Sequence, residues 1–194
     1  LITIFLFLIS ALWIITPAIM FYISKKEEKK EPIKQITKDE TEYILQVGKK
    51  TWQFFKDNLI EKGNYLPPDN YQEDRIPKVV YRTSPTNIGL GLLAVISSYD
   101  LKYENLQDTL NLLEKMLETI SKLDKWNGHL YNWYNIENLK PLVPKYVSTV
   151  DSGNFVGYLY TLKQFLEEIK VDNVEKGTQK EDEIVDKIKM MIDT

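Results

Sequence analysis

Residues 104–123 read ENLQDTLNLLEKMLETISKL, and their spacing decides the fold class. Leu106, Leu110, Leu113, Leu117 and Ile120 recur three and four residues apart, which gathers them on one stripe of an α-helix. Working outward, the same period appears on both sides. Upstream, SPTNIGLGLLAVISSYDL (84–101) predicts a helix capped by Ser84 with Pro85 in its first turn, where a missing N–H costs nothing. Gly89 and Gly91 weaken helix propensity there, so their expected use is close packing against a neighbour. Further upstream, DETEYILQVGKKTWQFFKDNLI (39–60) predicts a helix with Ile44, Val47, Phe54, Phe55 and Leu59 on its apolar face. Downstream, a helix is expected from about Ser152 to Lys170, burying Phe155, Leu159, Leu162, Phe165, Leu166 and Ile169, and another from near Glu181.

The connections between these helices alternate in length. Strand signals are confined to KVVYRT (78–83) and HLYNWYN (129–135), which alternate for a few residues and predict short hairpin arms. Helix, long loop, helix, short turn, helix, long loop, helix is the pattern of helical hairpins set around an axis with the long loops at one end. The expected class is all-α, and such loops carry binding residues on a rigid scaffold.

The N-terminus is of another kind. Leu1–Ser24, LITIFLFLISALWIITPAIMFYIS, carries no charge and has the roughly 20-residue length that crosses a bilayer as a helix. A secretory signal would begin with basic residues and have a shorter apolar run. Here Lys25, Lys26, Lys29 and Lys30 follow the run, and the positive-inside tendency puts that side in the cytoplasm. The expected organisation is a transmembrane helix over 1–24, a charged linker over 25–38 and a helical domain over 39–194. Because the chain opens inside an apolar run without Met, it is expected to be a piece of a longer polypeptide.

Composition excludes several function classes. A net charge of −3, without Lys/Arg runs interleaved with aromatics, argues against nucleic acid as a partner. Cysteine is absent and His129 is the single histidine, so neither a thiolate nor a multi-histidine metal centre is expected, and no cofactor.

The two long loops share one inventory. The first, GNYLPPDNYQEDRIPKVVYRTSPTN (63–87), offers Tyr65, Asp69, Asn70, Tyr71, Gln72, Glu73, Asp74, Arg82 and Asn87. The second, within 128–154, offers His129, Tyr131, Asn132, Trp133, Tyr134, Asp151 and Asn154. A pyranose has an apolar face that packs on Tyr or Trp and a rim of hydroxyls that needs Asp, Glu, Asn, Gln or Arg. Each residue also has a structural role open to it: loop aromatics cap helical cores, PPDN and NGH are turn sequences, Arg82 suits a salt bridge, and Asp151 suits a helix start.

Five strings in order, TWQFF (51–55), YLPPDNYQED (65–74), YRTSPTNIGLGLLA (81–94), GHLYNWYN (128–135) and PLVPKYVSTVDSGNFVGYL (141–159), resemble the start of the glycoamylase-like domain of cyclic β-1,2-glucan synthases. These are large membrane-bound bacterial enzymes, and the resemblance spans about residues 51–162. It implies a partial (α/α)6 toroid after one membrane span, at the bacterial inner membrane and facing the cytoplasm. The implied partners are a β-1,2-glucan chain, the bilayer through residues 1–24 and the remaining domains of the parent polypeptide. The implied reaction is ring closure of linear glucan by transglycosylation. A retaining reaction of that kind uses two carboxyl groups about 5 Å apart, expected here beyond residue 194. The resemblance makes Asp151 the candidate catalytic residue, as a reacting or an orienting group, with Asn154 beside it and Tyr131, Trp133 and Tyr134 stacking on glucose. Asp69, Asn70, Gln72, Glu73 and Arg82 follow as substrate-binding candidates, Arg82 either bonding ring hydroxyls or holding Asp151 ionised. Two other readings stay open: a piece of an endo-β-1,2-glucanase-like hydrolase, and a membrane-tethered carbohydrate-binding module without activity.

Overall fold

A computed structural model describes residues 2–24, 35–76, 78–176 and 182–193. The chain divides into two units, Leu1–Thr37 and Lys38–Thr194. In the first, α1 (Ile2–Ser24) is apolar throughout its length, and Thr3–Ser24 is long and apolar enough to cross a membrane. Pro17 removes one backbone donor within it, and the hydroxyl of Thr16 donates to the carbonyl of Leu12 (2.8 Å) one turn back. Residues 25–34, with Lys25, Lys26, Lys29 and Lys30 of the expected linker, lie outside the described residues.

The second unit is helical. Its elements are α2 (Lys38–Asn58), a 3-10 turn (Glu61–Gly63), β1 (Arg82–Thr83), α3 (Pro85–Asp100), α4 (Leu106–Lys122), β2 (Lys125–Trp126), β3 (His129–Leu130), β4 (Tyr134–Asn135), α5 (Thr149–Lys176) and α6 (Asp182–Ile192). Capping sets the helix starts. Ser84 Oγ accepts from the N–H of Asn87 (3.2 Å) with Pro85 in the first turn, as expected. Asn105 Oδ1 does the same for Asp108 (2.9 Å), and Ser148 Oγ for Asp151 (3.2 Å). The last bond corrects the sequence expectation: α5 begins at Thr149 rather than near Ser152, so Asp151 lies inside the first turn.

The helices form two rows. α3 and α5 pack side by side, α2 and α4 flank α3, and α6 packs against α4 and α5. Each long loop therefore carries the chain from the C-terminus of a helix in one row to the N-terminus of a helix in the other, and both lie at the same end. The expected strand arms do form, but the two loops pair with each other: β1 is antiparallel to β4, with Arg82 opposite Asn135 and Thr83 opposite Tyr134. β2 and β3 make a local hairpin turned at Asn127 (φ 47°) and Gly128 (φ 83°), the positive-φ pair that a tight hairpin requires.

Leu110, Leu113, Leu117 and Ile120 of α4 are buried as their spacing predicts, against Leu92 and Val95 of α3, Leu162 and Leu166 of α5, and Val185 and Ile188 of α6 in one cluster. Gly89 is where α3 and α5 meet: a Cβ there would stand 1.9 Å from Cδ2 of Tyr158. Gly91 is close to Pro67 and Met116, at 3.0 and 3.2 Å from the corresponding Cβ position. In α2 the expected face is only half right. Of that face Leu59, just past the end of α2, is buried and Phe54 and Phe55 are half-buried, with Trp52 buried beside them, whereas Ile44 and Val47 are 56% and 46% exposed, because the core reaches α2 through its C-terminal half. α6 is tied down by ion pairs, Lys187 with Glu114 and Glu118 of α4, and Lys189 with Glu167 of α5. One face of α5 remains open: Val150, Val156 and Tyr160 are exposed, with Gly153 and Gly157 between them.

Candidate functional site

The loop end gathers the polar residues of both loops around the first turns of α3 and α5. Asp69 is the first centre. Its Oδ2 accepts from Nε (3.0 Å) and Nη2 (2.8 Å) of Arg82 and from the amide of Asn70 (3.0 Å), and its Oδ1 accepts from the amide of Asn87 (3.3 Å). The Arg82 guanidinium in turn lies 4.5 Å from the centroid of the Trp133 ring, within cation–π range. The β1–β4 pairing explains the meeting, because it aligns Arg82 beside the segment that carries Trp133.

Asp151 is the second centre. Its Oδ1 accepts from the hydroxyl of Thr86 (2.5 Å) on the first turn of α3. Its Oδ2 accepts from the side-chain nitrogen of Asn132 (3.0 Å), whose amide oxygen takes the Trp133 indole N–H (2.5 Å) and the Tyr146 hydroxyl (2.8 Å). Asn132 is buried, and this orientation satisfies both ends of its amide. The carboxylate also lies in the first turn of α5, beside the backbone N–H groups of the helix start. Trp133 thus joins the centres, its face under Arg82 and its edge on Asn132. On α3, Thr86 holds Asp151 and its neighbour Asn87 holds Asp69.

Not every candidate joins this network. Arg82 pairs with Asp69 and not with Asp151, so of its two expected roles the holding of Asp151 in its ionised form is corrected. Tyr134 is fully buried, its hydroxyl donating to the carbonyl of Asp124 (2.6 Å) and accepting from the N–H of Tyr131 (2.7 Å), and burial pushes its pKa up to about 12. A ring locked in the core does not stack on a ligand, so Tyr134 is a structural anchor. Tyr131 is half-buried, with Lys145 Nζ 5.6 Å from its ring. Gln72 and Glu73 lie further along the 69–82 hairpin, near its tip, Glu73 exposed. Asn154 is exposed on α5, one turn after Asp151. His129 is exposed in the β2–β3 hairpin.

Thr86, Tyr146 and Ser148 were not singled out by sequence. Ser148-x-x-Asp151 has the spacing of a capping box, a signal that locates Ser148 and the start of α5. Thr86 and Tyr146 carry no local signal, since their partners are distant in the chain. Asn70 Oδ1 and Ser152 Oγ, next to the two centres, are buried with no hydrogen-bond partner among the described residues. Such atoms suit a hydroxylated ligand or water. The assembly is therefore an indole platform edged by two oriented carboxylates, a guanidinium and amides, without a metal-binding cluster of His, Cys, Asp and Glu among the described residues.

The Lys38–Thr194 unit has a glycoamylase-like α/α fold. It is similar to an endo-β-1,2-glucanase from Chitinophaga pinensis, solved with sophorotriose and glucose, with a TM-score of 0.62 and 17% identity over 78% of this chain and 35% of that one. A β-1,2-glucanase from Parabacteroides distasonis gives a TM-score of 0.59 at 14% identity, over 82% of this chain and 21% of the other. At these identities the likeness is one of fold. In sequence, 157 residues are 36% identical to the cyclic β-(1,2)-glucan synthase NdvB of Rhizobium meliloti (strain 1021), 81% of this chain and 6% of that protein. The chain is homologous to that stretch of a cyclic β-(1,2)-glucan synthase, and the resemblance read from its motifs is borne out. It spans a small part of this relative and about a third or less of the two solved neighbours. No family model matches it.

Proposed function

We propose that the chain is part of a membrane-bound cyclic β-1,2-glucan synthase and forms the glucan-binding rim of the domain that closes linear β-1,2-glucan into rings by transglycosylation. The observation that carries this is the continuous network Asp69–Arg82–Trp133–Asn132–Asp151, assembled from both long loops in a chain homologous to NdvB. In this reading Trp133 and Tyr131 meet the apolar faces of glucose units, while Arg82, Asp69, Asn70 and Asn154 take hydroxyls, with Gln72 and Glu73 further out. Asp151, held by Thr86 and Asn132, fixes the sugar next to the bond that breaks. Its two oxygens each already accept a hydrogen bond, which favours an orienting carboxylate over a proton donor. The reacting carboxyl pair belongs to further parts of the same domain. α1 anchors the unit in the inner membrane, with residues 38–194 on the cytoplasmic side and the parent polypeptide's other domains as neighbours.

Asp151→Asn in the complete parent enzyme tests this. Cyclic product is expected to fall by orders of magnitude while linear glucan accumulates, and unchanged cyclisation would reject the role of Asp151. The likeness to the Chitinophaga pinensis endo-β-1,2-glucanase supports hydrolysis as a second reading. Release of linear oligosaccharides without rings from the parent's isolated activity would favour it.

A further inference from the structure

A second concavity lies outside this network. A cleft of about 590 Å³ is enclosed by the C-terminal end of α2, the 3-10 turn and the 69–82 hairpin. Its size falls within the range of about 300–1,000 Å³ typical of small-molecule sites. Phe54, Tyr71 and Tyr81 supply aromatic walls, and Asp57, Asn58 and Lys62 supply polar groups. Lys62 Nζ donates to the Tyr81 hydroxyl (2.8 Å) and sits 4.6 Å from the ring centroid, while Asn58 donates its amide to the Phe54 carbonyl (2.7 Å) and keeps its oxygen as an acceptor. Tyr71 is 48% exposed.

The cleft is separate from the Asp69–Asp151 network and mechanically joined to it. Tyr81 and Arg82 are successive residues of an extended segment, so their side chains leave opposite faces of the backbone. Arg82 turns to Asp69 and Trp133, and Tyr81 turns into the cleft. None of the cleft's lining residues belongs to the network. Its charges, one Asp and one Lys, are of opposite sign, which disfavours a strongly ionic ligand and suits a neutral polyol with an apolar face.

We propose that this cleft is a second saccharide site, taking a distal stretch of the same β-1,2-linked glucan that the Trp133 platform holds. The inference rests on the proposed function for the identity of the sugar. A polymer held at two points on one chain is retained through the raised effective concentration of its second segment, so the cleft would keep a long glucan on the domain between encounters at the network.

The test is isothermal titration of the full chain in detergent micelles with a β-1,2-linked glucose disaccharide, which fills one site at a time. Two saccharides per chain are expected. Tyr71→Ala and, separately, Lys62→Met are expected to weaken one site at least about fivefold, the loss of one aromatic or polar contact, and to leave the other unchanged. Both side chains are well exposed, so neither change threatens the fold. Trp133→Ala should show the converse. One saccharide per chain, lost with Trp133→Ala and indifferent to Tyr71→Ala and Lys62→Met, overturns the second site and leaves the proposed function standing. One saccharide lost only with Tyr71→Ala or Lys62→Met supports the cleft and counts against the Trp133 platform. No binding by the unaltered chain overturns both.

Discussion

Gly89→Ala offers a quantitative test of how α3 and α5 are held together. A methyl at this position would lie 1.9 Å from Cδ2 of Tyr158 and 2.7 Å from Cε2 and Cγ, so the ring must move by about 1.5 Å to restore ordinary contact. In an open helix the change would stabilise by about 0.5–1 kcal/mol, because alanine gives up less backbone freedom than glycine. Overpacking costs about 1–3 kcal/mol, and a 1.9 Å approach to a ring puts this site in the upper part of that range, about 2–3, so that even against a gain of about 1 kcal/mol the net expectation is a loss of about 1–2 kcal/mol. For a domain of this size that lowers Tm by roughly 2–8 °C. Gly157→Ala on the open face of α5, with nothing within 4 Å of its Cβ position, is the internal control and should raise stability slightly. Thermal unfolding followed by circular dichroism in detergent reads both. Because α3 carries Thr86 and α5 carries Asp151, the displacement should also weaken oligosaccharide binding. Tyr158→Ala together with Gly89→Ala should cost less than the two changes added, since Tyr158→Ala removes the ring that the Gly89→Ala methyl meets. A Gly89→Ala chain that melts at or above the parent temperature would refute the contact.

Three further predictions concern single side chains. Thr86→Val removes the donor to Asp151 Oδ1, and Asn132→Ala removes the donor to Oδ2 and the acceptor of Trp133 and Tyr146. Each should cost about 1–3 kcal/mol in stability and weaken glucan binding, with Trp133 fluorescence shifting only in Asn132→Ala. Glu104 accepts from Trp52 Nε1 (2.9 Å) and Lys56 Nζ (2.5 Å); burial acts to raise its pKa, but these two partners outweigh it and hold it below the usual carboxylate value. A lowered folded pKa contributes stability that is present above the unfolded value and is lost as pH falls through the folded one. Glu104→Gln should therefore lower stability at neutral pH and flatten its decline below about pH 4.5, measured by urea unfolding against pH. An unchanged acid profile would exclude the linkage.

The helices were legible because each carries its own signal. The leucine stripe of α4, Ser84 before Pro85, and the uncharged run of α1 are local patterns whose physics involves residues a turn or two apart. The start of α5 was placed late because the apolar period begins only at Phe155, although the Ser148-x-x-Asp151 spacing marks the cap in the sequence. Tyr134 was legible as an aromatic but not as a buried one: its neighbours in sequence, Trp133 and Asn135, have the same polar and aromatic character as a surface loop. Arg82 was read as a partner of a carboxylate, and only the packing decided which one.

Composition and spacing by themselves determined an apolar N-terminal helix and a helical domain with two long polar and aromatic loops, since these depend on neighbours along the chain; the homology came from the resemblance of five motif strings. The tertiary structure decided that the loops pair through β1 and β4, that Arg82 takes Asp69, and that Asp151 is held by Thr86 and Asn132. Those partners stand as far as 65 residues apart in sequence, and no local period encodes them. They meet because burying the faces of α3 and α5 against each other brings the two helix starts, and the loops that enter them, to the same end of the domain.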